Sequence, residues 1–406
     1  MTKPEILAPA GNLEKLKIAV IYGADAVYLG GERYSLRAAA GNFSLGEMAE
    51  GIRFAHQHGR KVYVTVNILA HNRDLGGLPG YLRELAALKA DGVIISDPGL
   101  VALARATVPE LPIHLSTQAN TTNWASARFW QEQGVKRIVL ARELSFQEIM
   151  EIREKTQVEL EAFVHGAMCM AYSGRCLLSS YLTGRSANRG ACTHPCRWRY
   201  HLVEETRPGQ YMPIEEDERG TYILSPRDLC MISHVPALVR AGLDSWKIEG
   251  RMKSIHYLAT VVKTYREALD LFWENPDSYS FREDWLLELQ KVSDRGFTTG
   301  FYFGPPHGDR ETPAGRVPLP VQFVGLVLEH PYPDLALVEQ RNRFAVGDTL
   351  EVLSPQGAPF TFRLEKLYDE SGAPLDAAPH AQQKVYLEVP ERITPYSILR
   401  RRVEGD

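Results

Sequence analysis

The sequence predicts an α/β protein, a TIM-like (β/α) barrel with a cysteine-bearing insertion, followed by a small C-terminal β-barrel. Two observations support this fold class. Between residues 5 and 250, a helical stretch, a glycine-containing turn and a short apolar run recur, which is typical of buried parallel strands connected by helices. From about residue 320 onward, short segments of alternating apolar and polar residues replace that pattern, which indicates a small β domain.

Eight apolar runs are candidates for the barrel strands, the number that a closed (β/α)8 barrel requires. They lie near residues 5–8, 26–29, 61–67, 92–96, 112–116, 137–141, 160–165 and 245–249. Gly23, Gly92, Gly134 and Gly242 follow helical stretches, where a left-handed glycine commonly ends a helix. An open, doubly wound sheet is the alternative. It is disfavoured because APAGNLEK, after the first strand, has one glycine and no phosphate-binding fingerprint.

The predicted barrel domain covers residues 1–300 with the insertion near 166–230, and the predicted C-terminal domain covers 320–406. A loop rich in Gly and Pro separates the two. Residues 255–293 have the apolar spacing of a helix. Within the insertion, RWRYHLVEE and TYILSPRDLC predict one β-hairpin around an acidic turn. Ser225 and Pro226 then predict the start of a helix, with Cys230 in its first turns.

The composition is that of an ordinary soluble globular protein, with 44% apolar residues and a net charge of −4. The N-terminus MTKPEILAPAGNLEK lacks the basic start and apolar run of a secretory signal. No stretch approaches the roughly 20 apolar residues of a membrane span. We therefore expect a cytoplasmic protein without a membrane partner, in a compartment where cysteines are more often metal ligands or catalysts than disulfides.

The five cysteines are concentrated in the insertion. Cys169, Cys176, Cys192 and Cys196 fall within 28 residues, and Cys230 follows. The spacing contains no C-x2-C pair and matches neither common ferredoxin pattern. Four of the five thiolates converging in space would still suffice for an iron–sulfur cluster, with Cys196 or Cys230 as the spare. Structural zinc, with help from His165 or His194, is the nearest alternative, and reduced buried cysteines without metal are the other.

Polar residues gather where the predicted strands end, and in a barrel those ends form the active-site face. The candidate substrate-binding residues are Asn67, Gln118, Arg142, His165, Lys247, Glu249 and Arg251. The alternative for each of them is that it caps the following helix or pairs with a neighbour.

Two basic segments are candidates for contacts with nucleic acid. Arg197, Trp198 and Arg199 alternate cations with an aromatic ring, a combination that can hold phosphates and stack bases. Residues 400–402 are three consecutive arginines, although such a run is usually only a solvated chain end. A peptidase site is less evident, because the sequence has neither an H-E-x-x-H helix nor a G-x-S-x-G elbow. A Ser–His–Asp triad without a sequence signature remains open.

The segment around the first cysteines resembles the collagenase-like peptidase family U32. The resemblance is carried by Glu161, Phe163, Gly166, Ala167, Met168, Cys169, Gly174, Cys176, Leu178 and Ser179. The opening EILAPAG, the KIEGRMKS block and the terminal β domain are similar to that family as well. The resemblance covers essentially the whole chain.

The resemblance implies one of two functions. Some members of the family are described as collagenases, with no agreed catalytic residues. Another branch is similar to proteins that hydroxylate the wobble uridine of tRNA to 5-hydroxyuridine and depend on iron–sulfur supply and prephenate. A further branch carries 4Fe–4S clusters on cysteines of this region. CTHPCRWRYHLVEE and SPRDLC look most like the tRNA-modifying branch, so peptidase activity is the alternative.

For the tRNA-modifying branch, the resemblance implies specific roles and partners. A 4Fe–4S cluster would supply redox chemistry that side chains lack. Lys247, Arg251 and Arg142 would hold prephenate, a small carboxylated co-substrate, through charge-assisted bonds. The segment from Arg197 to Arg199 would contact the anticodon loop, and the C-terminal β-barrel would help to grip the tRNA. A partner subunit of the same family is a further expectation.

Overall fold

The computed structural model describes residues 2–35, 42–168, 227–304 and 319–403. Between them it also describes residues 178–183, 185 and 193 and four short strands between 202 and 222. None of the helices in these ranges has the length and apolar character needed to cross a bilayer.

Eight parallel strands close into a barrel. They are β1 (Glu5–Pro9), β2 (Ala26–Gly30), β3 (Lys61–Thr65), β4 (Gly92–Ile95), β5 (Ile113–Leu115), β6 (Arg137–Val139), β7 (Glu159–Gly166) and β13 (Ser245–Ile248). Each strand pairs with the next in this order, and β13 pairs with both β7 and β1, which closes the ring. The barrel and all eight of its strands are confirmed, and the doubly wound alternative is wrong.

Helices surround the barrel. They are α1 (Leu13–Ile21), α2 (Leu45–Gln57), α3 (Asn72–Leu75), α4 (Leu78–Ala87), α5 (Pro98–Thr107), α6 (Trp124–Glu132), α7 (Phe146–Lys155), α9 (Val235–Arg240), α10 (Ile255–Glu274) and α11 (Glu283–Gln290). The helix predicted over 255–293 is thus two helices, α10 and α11. Gly23, Gly134 and Gly242 have the expected positive φ, but Lys89, with φ of 62°, replaces Gly92 in that role. Gly92 instead begins β4.

The insertion leaves and rejoins the barrel at one place. Strand β12 (Asp228–Cys230) runs antiparallel to the upper end of β7, with Leu229 opposite Gly166 and Cys230 opposite His165. It also pairs with β14 (Phe297–Thr298). Ser225 and Pro226 lie outside the described residues. The prediction that Cys230 lies in the first turns of a helix is wrong, because the backbone there pairs with neighbouring strands. Helix α9 begins only at Val235, after a short 3-10 turn.

The described part of the insertion contains one short helix, α8 (Leu178–Thr183), and two short hairpins. Strand β8 (Leu202–Val203) pairs with β9 (Tyr211–Met212), and β10 (Glu215–Asp217) pairs with β11 (Gly220–Tyr222). The single predicted hairpin is thus replaced by two, because the acidic segment assigned to its turn supplies β10.

The C-terminal domain is antiparallel β structure. Its strands are β15 (Val321–Tyr332), β16 (Leu335–Gln340), β17 (Phe344–Ala345), β18 (Thr349–Leu353), β19 (Phe360–Arg363), β20 (Leu367–Tyr368), β21 (Ala377–Ala378), β22 (Lys384–Glu388) and β23 (Ile398–Arg402). Seven of them form a sheet in the order β19-β18-β23-β15-β16-β22-β20. Its core contains Val324, Val338, Leu350 and Leu387, all fully buried.

Polar contacts dock this domain onto the barrel. Arg400 is fully buried and forms ion pairs with Glu288 of α11 and, at 3.1 Å, with Glu351 of β18. Tyr22 Oη donates to the carbonyl of Leu353 at 2.7 Å, and Lys263 Nζ donates to that of Ser354 at 2.7 Å. The interpretation of residues 400–402 as a solvated basic end is therefore wrong for Arg400, whose carboxylate partners lie far away in the sequence.

Candidate functional site

A buried ionic network lies inside the barrel, toward the ends where its strands begin. We call this region the lower interior. The Glu161 carboxylate is fully buried, with Lys247 Nζ 2.7 Å from its Oε1 and Arg137 Nη1 3.3 Å from its Oε2. Arg137 also contacts Glu5 at 2.6 Å, and Tyr63 Oη donates to Glu5 at 2.9 Å. Because opposite charges and hydrogen-bond donors compensate each carboxylate, the network can exist away from water.

This network holds Lys247 inside the barrel. Besides its ion pair with Glu161, the Lys247 ammonium lies 4.4 Å from the ring centroid of Tyr28 and 5.7 Å from that of Phe163. Only 5% of Lys247 is exposed. The structure thus puts the side chain among structural partners, below the strand ends where a substrate cation was expected.

On one side of the barrel mouth, the ends of β3, β4 and β5 are joined by polar side chains. Asn67 Nδ2 donates to Gln118 Oε1 at 2.8 Å, and the Ser116 hydroxyl donates to the same oxygen at 3.1 Å. The Ser96 hydroxyl donates to the backbone carbonyl of Asn67 at 3.4 Å. The structure therefore brings Asn67 and Gln118 into direct contact, and both are half-buried at the mouth.

Arg251 occupies the opposite side of the mouth, just beyond β13. Its guanidinium donates to the Ser35 hydroxyl at 3.1 Å and to Asn42 Oδ1 at 3.0 Å, and it is 4% exposed. Gly30 makes room for it, because a Cβ there would lie 2.6 Å from Arg251 Nη2. The neighbouring Glu249 accepts a hydrogen bond from Tyr28 Oη at 3.3 Å.

Arg142 lies beyond the end of β6, near the neck of the insertion. The central carbon of its guanidinium is 3.9 Å from the ring centroid of Phe163, a cation–π contact. Tyr302 Oη donates to the carbonyl of Phe163 at 2.7 Å and so fixes this part of β7. Arg142 is half-buried, so its planar charge remains near solvent.

His165 lies behind the barrel wall. Lys247 pairs with Phe163, but the next residue of β13, Ile248, pairs with His165, so β7 has a bulge there. A bulge redirects the side chains that follow it. The ring of His165 consequently packs against Tyr257 and Tyr265 of α10. Burial, with a smaller effect from the charge of Lys253, lowers the pKa of His165 to about 3.

Cys230 is the one cysteine within the described residues. It is buried, its Sγ lies 3.9 Å from Tyr265 Oη, and burial raises the pKa of its thiol to about 12. The predicted ligands Cys169, Cys176, Cys192 and Cys196 lie outside the described residues, as do Arg197, Trp198 and Arg199. In the described part of the chain, no three His, Cys, Asp or Glu side chains converge as a metal site.

Several residues at the mouth were not predicted from the sequence. Ser96 directly follows the apolar run of β4, so its position at a strand end was a usable signal. Ser35 and Asn42 lie in the long connection after β2, and nothing in their local sequence indicates that they meet Arg251.

Comparisons with known proteins match both domains. Residues 11–312 match the family model described as "Peptidase family U32", and residues 320–400 match the one described as "Peptidase family U32 C-terminal domain". A Bacillus subtilis protein named "tRNA hydroxylation protein P1" is 45% identical over 98% of this chain and 95% of its own length. The Escherichia coli "tRNA hydroxylation protein P" is 40% identical over 100% of this chain and 98% of its own. The E. coli "23S rRNA 5-hydroxycytidine C2501 synthase" is 37% identical, covering 86% of this chain and 52% of that protein.

Proposed function

The chain belongs to peptidase family U32, and from that premise we propose that it is a tRNA hydroxylase. The proposed reaction is the prephenate-dependent hydroxylation of the wobble uridine to 5-hydroxyuridine with an iron–sulfur cluster. The observation that carries the proposal is similarity over nearly the full length, through both domains, to relatives named tRNA hydroxylation proteins. A relative named for 5-hydroxycytidine formation in rRNA supports hydroxylation of a pyrimidine base.

The mouth of the barrel supports the proposal chemically. Enzymes that modify a base bind it outside the stack and contact its edge with hydrogen-bonding side chains. Gln118, Asn67 and Ser96 offer amide and hydroxyl groups at the ends of three adjacent strands. We assign the base to this side of the mouth, where neutral polar groups predominate.

Two arginines at the mouth suit a small carboxylate. Arg251 is held in place by Ser35 and Asn42, and the guanidinium of Arg142 lies 3.9 Å from the ring centroid of Phe163. A positioned guanidinium binds a carboxylate through charge-assisted, often bidentate hydrogen bonds. We therefore assign prephenate to Arg251 and Arg142. Lys247 is no longer part of the clamp, because its ammonium is paired with Glu161.

We propose that four of the five cysteines hold the cluster. Because Gly166 lies opposite Leu229, Cys230 and the segment leading to Cys169 leave the barrel side by side. Thiolates are the ligands that 4Fe–4S clusters use, and such a cluster, when bound, supplies one-electron chemistry. The barrel residues would bind the base and the carboxylate and would exclude water around them.

The C-terminal domain is a weaker candidate for the tRNA contact than the insertion. Residues 319–403 contain eleven acidic and nine basic side chains. Arg400 is buried, and Arg401 is paired with Asp348 at 2.9 Å. Since nucleic-acid affinity depends on basic side chains near phosphates, we assign the anticodon loop to Arg197, Trp198 and Arg199.

A deletion strain tests the proposal. Loss of the gene should deplete 5-hydroxyuridine-derived nucleosides from bulk tRNA, measured by mass spectrometry of hydrolysed tRNA, and the intact gene should restore them. Cys169→Ser should fail to restore them, whereas Glu151→Gln, an exposed change on α7, should succeed. Protein purified without oxygen should contain about four irons and four sulfides per chain.

Two outcomes would contradict this reading. Normal tRNA in the deletion strain, with gelatin cleavage that a point mutant of this chain abolishes, would favour the peptidase. Stoichiometric zinc in place of iron would remove the cluster.

A further inference from the structure

Gln118 lies at the mouth of the barrel, bonded to residues that follow β3 and β5. Side chains of a strand alternate between its two faces, so Tyr63 of β3 and Asn67 just beyond it point the same way. His114 of β5 and Ser116 alternate likewise, and the rings of Tyr63 and His114 meet inside the barrel with centroids 4.4 Å apart. Asn67 and Ser116 therefore face the axis, and the Gln118 amide that bonds to both lies across the mouth.

The contacts of this amide leave it able to act only as a donor. A carboxamide oxygen has two lone pairs, and Gln118 Oε1 already accepts from Asn67 Nδ2 and from the Ser116 hydroxyl. The Ser116 oxygen receives the backbone N–H of Gln118 at 3.5 Å, which leaves its own proton to point at Oε1. A ligand that approaches Gln118 thus meets its Nε2–H groups.

The Nε2 of Gln118 is accessible. Within the described residues it has no hydrogen-bond partner, and it is not among the polar atoms sealed from solvent. Its position is nevertheless fixed, because the two bonds to Oε1 hold the amide plane. A fixed, accessible donor at the mouth of a barrel is suited to reading one acceptor atom of a ligand.

We propose that Gln118 donates to the O4 carbonyl of the target uracil and thereby sets the preference of this site for uridine over cytidine. This inference rests on the proposed function. Uracil presents an acceptor at position 4, as thymine does, whereas cytosine presents an N4 amine that donates. Cytosine would place donor against donor, and a site built to hydrogen-bond one group strongly rejects an analogue that cannot accept the bond.

The test exchanges the donor for an acceptor without disturbing the supporting bonds. Gln118→Glu keeps an oxygen for Asn67 and Ser116 and replaces Nε2–H2 with a carboxylate oxygen. The full-length protein, purified without oxygen, is titrated with two fluorescent anticodon stem-loops that differ only in U or C at the target position. Wild type should bind the U form about tenfold more tightly or better, and the variant should lose at least that preference. Gln57→Glu, the same change on the outer helix α2, is the matched control.

The ratio of the two affinities is the deciding quantity, because added negative charge weakens both RNAs alike. If Gln118→Glu fails to fold, Gln118→Ala replaces it and should bring the ratio close to one. A wild type that does not discriminate, or variants that keep the wild-type ratio, would overturn the assignment of Gln118. Failure of the proposed function has a different signature, since it would appear as unchanged tRNA nucleosides in the deletion strain.

Discussion

The lower interior and the mouth of the barrel use similar polar side chains in different ways. Lys247 and Arg251 are four residues apart, but Lys247 is paired with the fully buried carboxylate of Glu161. Arg251, at the mouth, donates to the hydroxyl of Ser35 and to the amide oxygen of Asn42. The Lys247 ammonium is therefore committed to an interior carboxylate, whereas the guanidinium of Arg251 donates hydrogen bonds to two neutral groups at the mouth.

This difference has an energetic consequence. Removing one member of a buried ion pair leaves the other charge buried without a partner or water, which lowers the free energy of unfolding. Removing a side chain that hydrogen-bonds to a neutral hydroxyl and a neutral amide leaves no unpaired charge on those two groups, so it should cost less. Mutations in the interior should therefore appear in the free energy of unfolding, and mutations at the mouth should appear in ligand binding.

The largest expected effect is in the interior. Glu161→Leu leaves the buried Lys247 ammonium without its carboxylate, while Arg137 keeps its ion pair with Glu5. We expect this change to lower the free energy of unfolding by about 3–5 kcal/mol. Urea denaturation followed by circular dichroism measures this change.

The control is Glu151→Gln, which removes an exposed ion pair with Lys155 on α7. It should lower the free energy of unfolding by about 0.5 kcal/mol or less. A Glu161→Leu protein as stable as this control would show that the interior network contributes little to stability and that interior and mouth do not differ in this respect.

The sequence predicts the frame of the site better than the orientation of its side chains. Apolar runs mark all eight strands, helix-ending glycines mark only some of them, and strand ends mark Asn67 and Gln118, because these signals are local. The bulge that turns His165 toward α10 has no local signal, since it depends on pairing with β13. The partners of Lys247 and Arg400 are distant in sequence, so neither the ionic network nor the docking of the C-terminal domain could be read from periodicity.

The mouth should give a smaller effect, and one on binding. If Arg251 holds prephenate, Arg251→Ala should leave the protein folded and weaken prephenate binding by about 1.5–3 kcal/mol, as expected for a hydrogen bond to a charged group. Thermal melting with and without prephenate measures this, because a ligand that binds only the folded state raises Tm.

Arg83→Ala, an exposed change on α4, should keep the wild-type shift in Tm. No shift in the wild type would remove prephenate from the proposal. A large drop in the Tm of Arg251→Ala without ligand would show that Arg251 stabilises the fold, as the charges of the interior do.

The smallest expected effect concerns a buried histidine at the domain interface. It tests whether the interface loses stability as the pH falls. His256 is 5% exposed and stacks on Phe323. Burial, followed by the charges of Arg400 and Lys291, lowers its pKa from 6.5 to about 3. Below about pH 6.5 the unfolded chain takes up a proton there that the folded protein does not accept until about pH 3, so stability falls as the pH drops through that window. For this one group the loss of stability between about pH 7.5 and about pH 5.5 is on the order of 1 kcal/mol.

His256→Gln should remove that part of the pH dependence in urea denaturation curves, whereas His380→Gln, at an exposed position of the C-terminal domain, should retain it. Identical pH profiles for His256→Gln and wild type would mean that His256 takes up its proton in the folded protein at the same pH as in the unfolded chain. The domain interface would then have to accommodate a third positive charge beside Arg400 and Lys291.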